Sequence, residues 1–83
     1  MADGKTFHLT IASVGGSLFD GEAISLTVPG DSGEMTLLAH HEPLVSNLRA
    51  GTISVAVPQG DKQTFPIESG VIECAHNRII VLL

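Results

Sequence analysis

The chain has 83 residues, 43% apolar and 4% aromatic, with no Trp and no Tyr. That length is enough for one domain with a single small core. Four basic against nine acidic residues leave a formal charge of −5, which repels phosphate backbones and anionic lipid heads, and so few flat rings leave little for a stacked base or sugar.

Met1-Ala2-Asp3-Gly4-Lys5 starts neither a secretory leader nor an Arg-rich transit peptide, so the expectation is a protein that stays where it is made. Phe7 to Ser13 alternates, with Phe7, Leu9 and Ile11 on one side and His8 and Thr10 on the other, which predicts a half-buried strand. Gly15-Gly16-Ser17 reads as a turn. Leu18-Phe19-Asp20 resumes an extended path, with a bend or bulge at Asp20-Gly21. Ala23 to Pro29 is a second alternation, with Ile24, Leu26 and Val28 inward. The cluster Pro29-Gly30-Asp31-Ser32-Gly33 is a turn, and Glu34 to Leu38 follows as a short strand with Met35 and Leu37 on one face.

The stretch from Gly33 to Leu48 is the least regular. An apolar run, Leu37-Leu38-Ala39, meets the wet cluster His40-His41-Glu42, and Pro43 stops any ladder because it lacks an N–H. Leu44, Val45 and Leu48 could make one helical turn, but a segment that short is not a stable helix, so an extended piece is expected. Arg49-Ala50-Gly51 turns the chain. Ile53, Val55 and Val57 alternate into the loop Pro58 to Lys62, and Gln63 to Glu68 returns as the second arm of a hairpin, with Pro66 marking it as an edge. After Gly70 come Val71 to Ala75, a tight turn at His76-Asn77, and an apolar last strand from Arg78 to Leu83 whose two faces are expected to be covered. No helix-length amphipathic segment interrupts this series. The prediction is an all-β fold, a flattened sandwich or barrel of about 8–10 short strands, with residues 1–83 as a single domain.

Reactive chemistry is sparse. Cys74 is the lone cysteine, permits no internal disulfide, and reads as a small buried hydrophobe. His8, His40, His41 and His76 show no ligand spacing, and adjacent His40 and His41 point apart on an extended segment, so no metal is expected. No Gly-x-Ser-x-Gly and no phosphate-cradling glycine loop occurs, so neither a nucleophile nor a cofactor is expected. Ile79 to Leu83, the longest apolar run, is far short of the roughly 20 residues of a membrane-spanning helix. A non-catalytic binding or structural module remains. One form of it is a small β-barrel that holds a ligand with His40, His41 and Glu42.

Seven pieces in order point more specifically: Phe19-Asp20-Gly21-Glu22, Val28-Pro29-Gly30, Gly33-Glu34-Met35, His41-Glu42-Pro43-Leu44, Arg49-Ala50-Gly51, Ser69-Gly70 and Ile79-Ile80-Val81-Leu82. Their order and spacing resemble the epsilon subunit of F-type ATP synthases, called delta in mitochondria, across essentially the whole chain. The resemblance implies a β-sandwich of about ten strands. It also implies a rotor subunit of the central stalk, which couples the gamma subunit to the c-ring and has no catalytic residues, cofactor or small-molecule substrate. Such a subunit would sit peripherally on the cytoplasmic face of the bacterial inner membrane, or on the stromal side in chloroplasts.

By position in the motifs, Glu34 would face the polar loops of the c-ring, and Ser13 and His41 would face gamma; Glu42 and Leu44 are further expected subunit-interface residues. The plain alternative has Glu34 solvated and His41 bonded to a backbone carbonyl. Two departures stand out: Ala39-His40 replaces the usual Pro-Gly before the histidine, and Gly70-Val71 replaces a doubled glycine. The family's C-terminal helical hairpin has no counterpart in these 83 residues, so neither helix-mediated inhibition nor ATP binding is expected of them.

Overall fold

A computed structural model describes residues 5–83. Residues 1–4, where the absence of a leader was read, lie outside the described residues. Among the described residues there are nine strands and no helix: β1 Phe7–Ser13, β2 Gly16–Ala23, β3 Ser25–Gly30, β4 Gly33–Leu38, β5 Leu44–Leu48, β6 Gly51–Ala56, β7 Gln63–Ile67, β8 Gly70–Ala75 and β9 Arg78–Leu82. Hydrogen bonding follows the order β2-β1-β9-β8-β5-β3-β6-β7, with β4 on the other side of β3. All the pairs are antiparallel except β1 with β9.

The path bends at β3. Its first half pairs with β6, Ser25 opposite Ala56 through Thr27 opposite Ser54, while its last residue, Gly30, pairs with Leu48 of β5. One layer is therefore β2-β1-β9-β8-β5 and the other β4-β3-β6-β7. Every strand sends at least one buried side chain into a single core of aliphatic residues together with Phe7 and Cys74. At the two ends of the path, Phe19 of β2 and Phe65 of β7 meet edge to face, ring centres 6.5 Å apart and planes at 75°. The predicted flattened β-sandwich is what forms, a curled sheet with its first and last edges brought together.

The period-two reading holds along β1, β6 and β8, where alternate apolar side chains are buried. Leu44–Leu48 is extended, as expected, and pairs with β8. Pro66 lies on β7, an edge strand.

Four expectations are corrected. Ala23 to Pro29 is not one strand: Ala23 ends β2, Ile24 is exposed, and inward alternation begins with Leu26. The chain changes layers there, and the Ile24 N–H donates to Ala56 O at 2.7 Å rather than continuing the β2 ladder. The bulge falls at Leu18, not Asp20-Gly21, because Ile11 faces Phe19 while Ala12 faces Ser17. The β1–β2 turn is Val14-Gly15, and Gly16, at φ 136°, already opens β2. Finally, β9 is covered on one face only: Ile79 and Val81 are buried but Leu82 is 56% exposed, because no further layer lies outside it.

Gly70 opens β8 where that strand passes the end of β9. A Cβ there would sit 2.9 Å from Leu82 O and 2.9 Å from Leu83 Cδ2. Gly21 has open space around its Cβ position. Gly70→Ala should therefore destabilise the fold by about 1–3 kcal/mol through overpacking, whereas Gly21→Ala should fall between neutral and about 1 kcal/mol stabilising. Urea unfolding of the two variants checks the contrast.

Candidate functional site

Strand register sorts the connections onto two rims. The first rim holds the 39–43 connection, the 57–62 loop, the His76-Asn77 turn and Thr6. The second holds Val14-Gly15, Asp31-Ser32, Arg49-Ala50 and Glu68-Ser69. The expected interface residues divide between them. His41, Glu42 and Leu44 lie on the first rim; Ser13, the last residue of β1, and Glu34, second in β4, lie on the other.

The first rim is organised by Asn77. Its Oδ1 accepts the His40 N–H at 2.7 Å, and its Nδ2 donates to Thr6 O at 2.9 Å. Its own carbonyl accepts the His8 N–H at 3.3 Å. One residue thus ties the entry to β1, the β4–β5 connection and the β8–β9 turn. Three residues here adopt the left-handed conformation: His40 at φ 64°, His76 at φ 53° and Asn77 at φ 60°. Positive φ at both His76 and Asn77, between the paired residues Ala75 and Arg78, is the two-residue hairpin geometry that suits strand twist, and Asn tolerates it. His40 is a non-glycine residue in a conformation that glycine adopts without steric cost.

His41 is half-buried. Its N–H donates to Leu38 O at 3.2 Å, and its Nδ1 lies 2.7 Å from Glu42 O. A carbonyl only accepts, so Nδ1 carries the proton in this bond. The Cys74 thiol points at His41 O at 3.8 Å, and burial pushes its pKa up, so it stays protonated. One shallow concavity of about 510 Å³ is lined by Glu73, Ala75, His76, Arg78 and Ile80, and another of about 260 Å³ by Lys5, Ile24, Leu38 and Ala39. His40, His41 and Glu42 line neither.

Two features went unread in the sequence. On the outer face of the first layer, neighbours run Ala12, Leu82, Val71, Asn47 in one row and Thr10, Ile80, Glu73, Val45 in the next. Val45, Val71 and Leu82 are 70%, 40% and 56% exposed. They form a diagonal apolar strip from the first rim beside Leu44 to the second rim near Ser13. Leu83 follows that corner with its side chain turned to the core, its N–H donating to Ala12 O at 2.9 Å. The second feature is polar: His8 Nε2 lies 2.7 Å from Asp20 Oδ1, His8 Nδ1 lies 3.4 Å from Glu22 Oε2, and Thr6 Oγ1 donates to Glu22 Oε1 at 2.6 Å. Both features needed the strand register before they could be found. Among the described residues no three His, Cys, Asp or Glu side chains are placed to hold a metal ion, and no helix is long and apolar enough to cross a membrane.

The fold is an all-β sandwich whose exposed chemistry is spread over a sheet face and two rims. Residues 6–83 match the family described as ATP synthase, Delta/Epsilon chain, beta-sandwich domain, and the chain belongs to that family. It is 36% identical over 75 residues to the ATP synthase epsilon chain of Sulfurimonas denitrificans, covering 90% of this chain and 58% of the relative. It is 30% identical over 78 residues to that of Delftia acidovorans, covering 94% and 56%. The chain therefore spans little more than half the length of these curated relatives.

Two solved structures share the fold. One is a chain of the Euglena gracilis mitochondrial ATP synthase OSCP/F1/c-ring structure, with TM-score 0.86, 23% identity, and 99% of this chain and 54% of that one covered. The other belongs to the Tetrahymena thermophila mitochondrial ATP synthase central stalk and c-ring structure, with TM-score 0.79, 11% identity, and 90% and 60% covered. The resemblance read from seven ordered motifs is borne out.

Replacing Asn77 should separate its bonds from its backbone. Asn77→Ala removes both side-chain bonds from a left-handed position and should cost about 1–3 kcal/mol; Asn77→Gly relieves the backbone and should cost less. Chemical denaturation, with amide exchange at His40 as the local readout, checks the order.

Glu22 gives a pH prediction. The Thr6 hydroxyl holds its carboxyl below the usual carboxylate range; slight desolvation opposes this, and His8 adds a smaller lowering. A carboxyl with a lowered folded pKa contributes stability above its unfolded value and loses it as pH falls through the folded one. Thr6→Val should bring the Glu22 titration back up toward the ordinary range, read by NMR of its side-chain carboxyl carbon.

Proposed function

We propose that this chain is the β-sandwich part of a non-catalytic central-stalk subunit of a proton-translocating F-type ATP synthase. In this role it couples the gamma subunit to the c-ring, as a peripheral subunit on the cytoplasmic face of the membrane or on the stromal side. The observation that carries the reading is the family match over residues 6–83. The geometry supports it in kind. A coupling element transmits force between two partners, which calls for separated contact surfaces on a stiff body, not a cleft. One close-packed core shared by both layers provides that stiffness.

Ser13 and His41 are the residues assigned to gamma. Ser13 ends β1 at the second rim and His41 lies in the 39–43 connection at the first, and the strip Val45, Val71 and Leu82 crosses the outer face of the first layer between those rims. We assign that strip to gamma as well, together with Glu42 at the first rim and Leu44, whose side chain is partly buried against the core beside it. Burying three such side chains in a partner contributes several kcal/mol at roughly 25 cal/mol per Å² of apolar surface. Glu34, at the second rim on the other layer, is assigned to the polar loops of the c-ring.

Co-expression with a gamma subunit from a related ATP synthase tests the assignment. A stoichiometric complex is expected. Val71→Lys, at an exposed position, should weaken it by about tenfold or more while leaving the melting temperature near that of the parent. A chain that purifies alone, or a complex indifferent to Val71→Lys, counts against it.

A further inference from the structure

Among the described residues three strands have one edge wholly unpaired, β2, β7 and β4, while β5 meets β3 only where Leu48 faces Gly30. An open edge presents unpaired N–H and C=O groups to any extended chain, and proteins blunt such edges with bulges, prolines or cover. Two of the three are blunted here. β2 carries the Leu18 bulge, and β7 carries Pro66, which has no N–H to offer. The Phe19–Phe65 contact also brings these two strands together. β4, Gly33–Leu38, has no proline, no lysine and an unbroken register against β3.

The register says which groups β4 leaves open. Gly30 and Gly33 close a two-residue hairpin, so they exchange both of their hydrogen bonds, and the pattern then repeats at every second pair. The N–H and C=O groups of Gly33, Met35 and Leu37 therefore point at β3. Those of Glu34 and Thr36, and the N–H of Leu38, point away from the sheet. Leu38 O agrees with this parity, since it accepts the His41 N–H outside the ladder. Glu34, Thr36 and Leu38 are all exposed.

We propose that the free edge of β4 is a strand-addition site. It takes an extended segment of another polypeptide through the main chain of Glu34 and Thr36. The side chains set its chemistry. Glu34 asks for a basic residue across from it, and Leu38, beside the concavity it lines with Ile24, Ala39 and Lys5, asks for an apolar one toward the other end. A second copy of this chain is the poorer occupant, since each copy has a formal charge of −5. The site does not depend on the stalk assignment, because it follows from strand parity and edge protection alone.

The test uses the isotope-labelled chain and an end-capped seven-residue peptide that alternates threonine and valine around one central lysine. Saturable binding is expected, with amide exchange slowed at Glu34, Thr36 and Leu38 and unchanged at Met35 and Leu37. The same peptide with glutamate for lysine should bind about tenfold more weakly. Thr36→Pro removes an N–H that faces away from β3 and should abolish binding. Glu34→Lys, which leaves the main chain intact, should reverse the peptide preference. Absence of saturable binding, protection at β2 or β7 instead of β4, or undiminished binding by a folded Thr36→Pro chain would each overturn the proposal.

Discussion

The first strand and the last lie side by side. β1 and β9 are the parallel pair in an otherwise antiparallel sheet, with His8 through Ala12 set against Arg78 through Leu82. Each has a neighbour on its other side, so the two most distant described segments form the middle of one layer. Parallel strands cannot be joined by a tight turn, and everything between them must close as a loop before the pair exists. That closure cost grows slowly with loop length, but this kind of pairing makes folding slow for the size of the chain. Once formed, the pair puts Phe7, Leu9, Ile11, Ile79 and Val81 on one inner surface, and the second layer packs against it. With no Trp or Tyr available, branched aliphatics do this work, and burying each contributes about 1.5–3 kcal/mol.

Asn77 sits where that pair begins. It lies one residue before β9, and its side chain reaches both Thr6 at the start of β1 and His40 in the crossing between layers. The left-handed turn at His76-Asn77 is what aims this amide. His40 shows the same economy from the other side. A non-glycine residue in this conformation costs roughly 1–2 kcal/mol, and the bond from its N–H to Asn77 offsets part of that. The turn is thus kept without a glycine, because a partner holds the strained residue.

Much of the architecture was legible in the alternation of side chains. Leu9 and Ile11, Ile53 and Val55, and Ile72 and Cys74 are all inside, because a half-buried strand must obey a period of two. Ile24 was misread for an instructive reason. It continues the alternation of Leu26 and Val28 on paper, but the chain changes layers there, and a layer change resets which side is inward. The bulge was displaced for a similar reason: Gly21 looks like a break, yet the extra residue is Leu18, and only cross-strand register reveals it. The candidate residues could be named one by one from the sequence, but their arrangement could not. Nothing in the order of Ser13, Glu34 and His41 says that the first two share a rim and the third lies on the other. The apolar strip was invisible for the same reason, since Val45, Val71 and Leu82 are distant in sequence and meet only through three ladders.

Register is also what makes the exposed surface specific. A slip of one residue in β8 would carry Val71 inward and Ile72 out, and the strip and the core would fail together. The same pairings that bury Ile72 and Cys74 hold Val71 between Asn47 and Leu82. A partner that reads the strip therefore reads the correctness of the fold, and a misregistered chain has no surface to offer it. The edge of β4 follows the same logic. Its open groups belong to Glu34 and Thr36 only because the Gly30–Gly33 hairpin fixes the parity. One residue more in that two-residue turn would present Met35 and Leu37 instead, with their side chains exchanged between core and solvent. Surface and interior are two readings of a single register, which is how so small a core can fix several separate surface features at once.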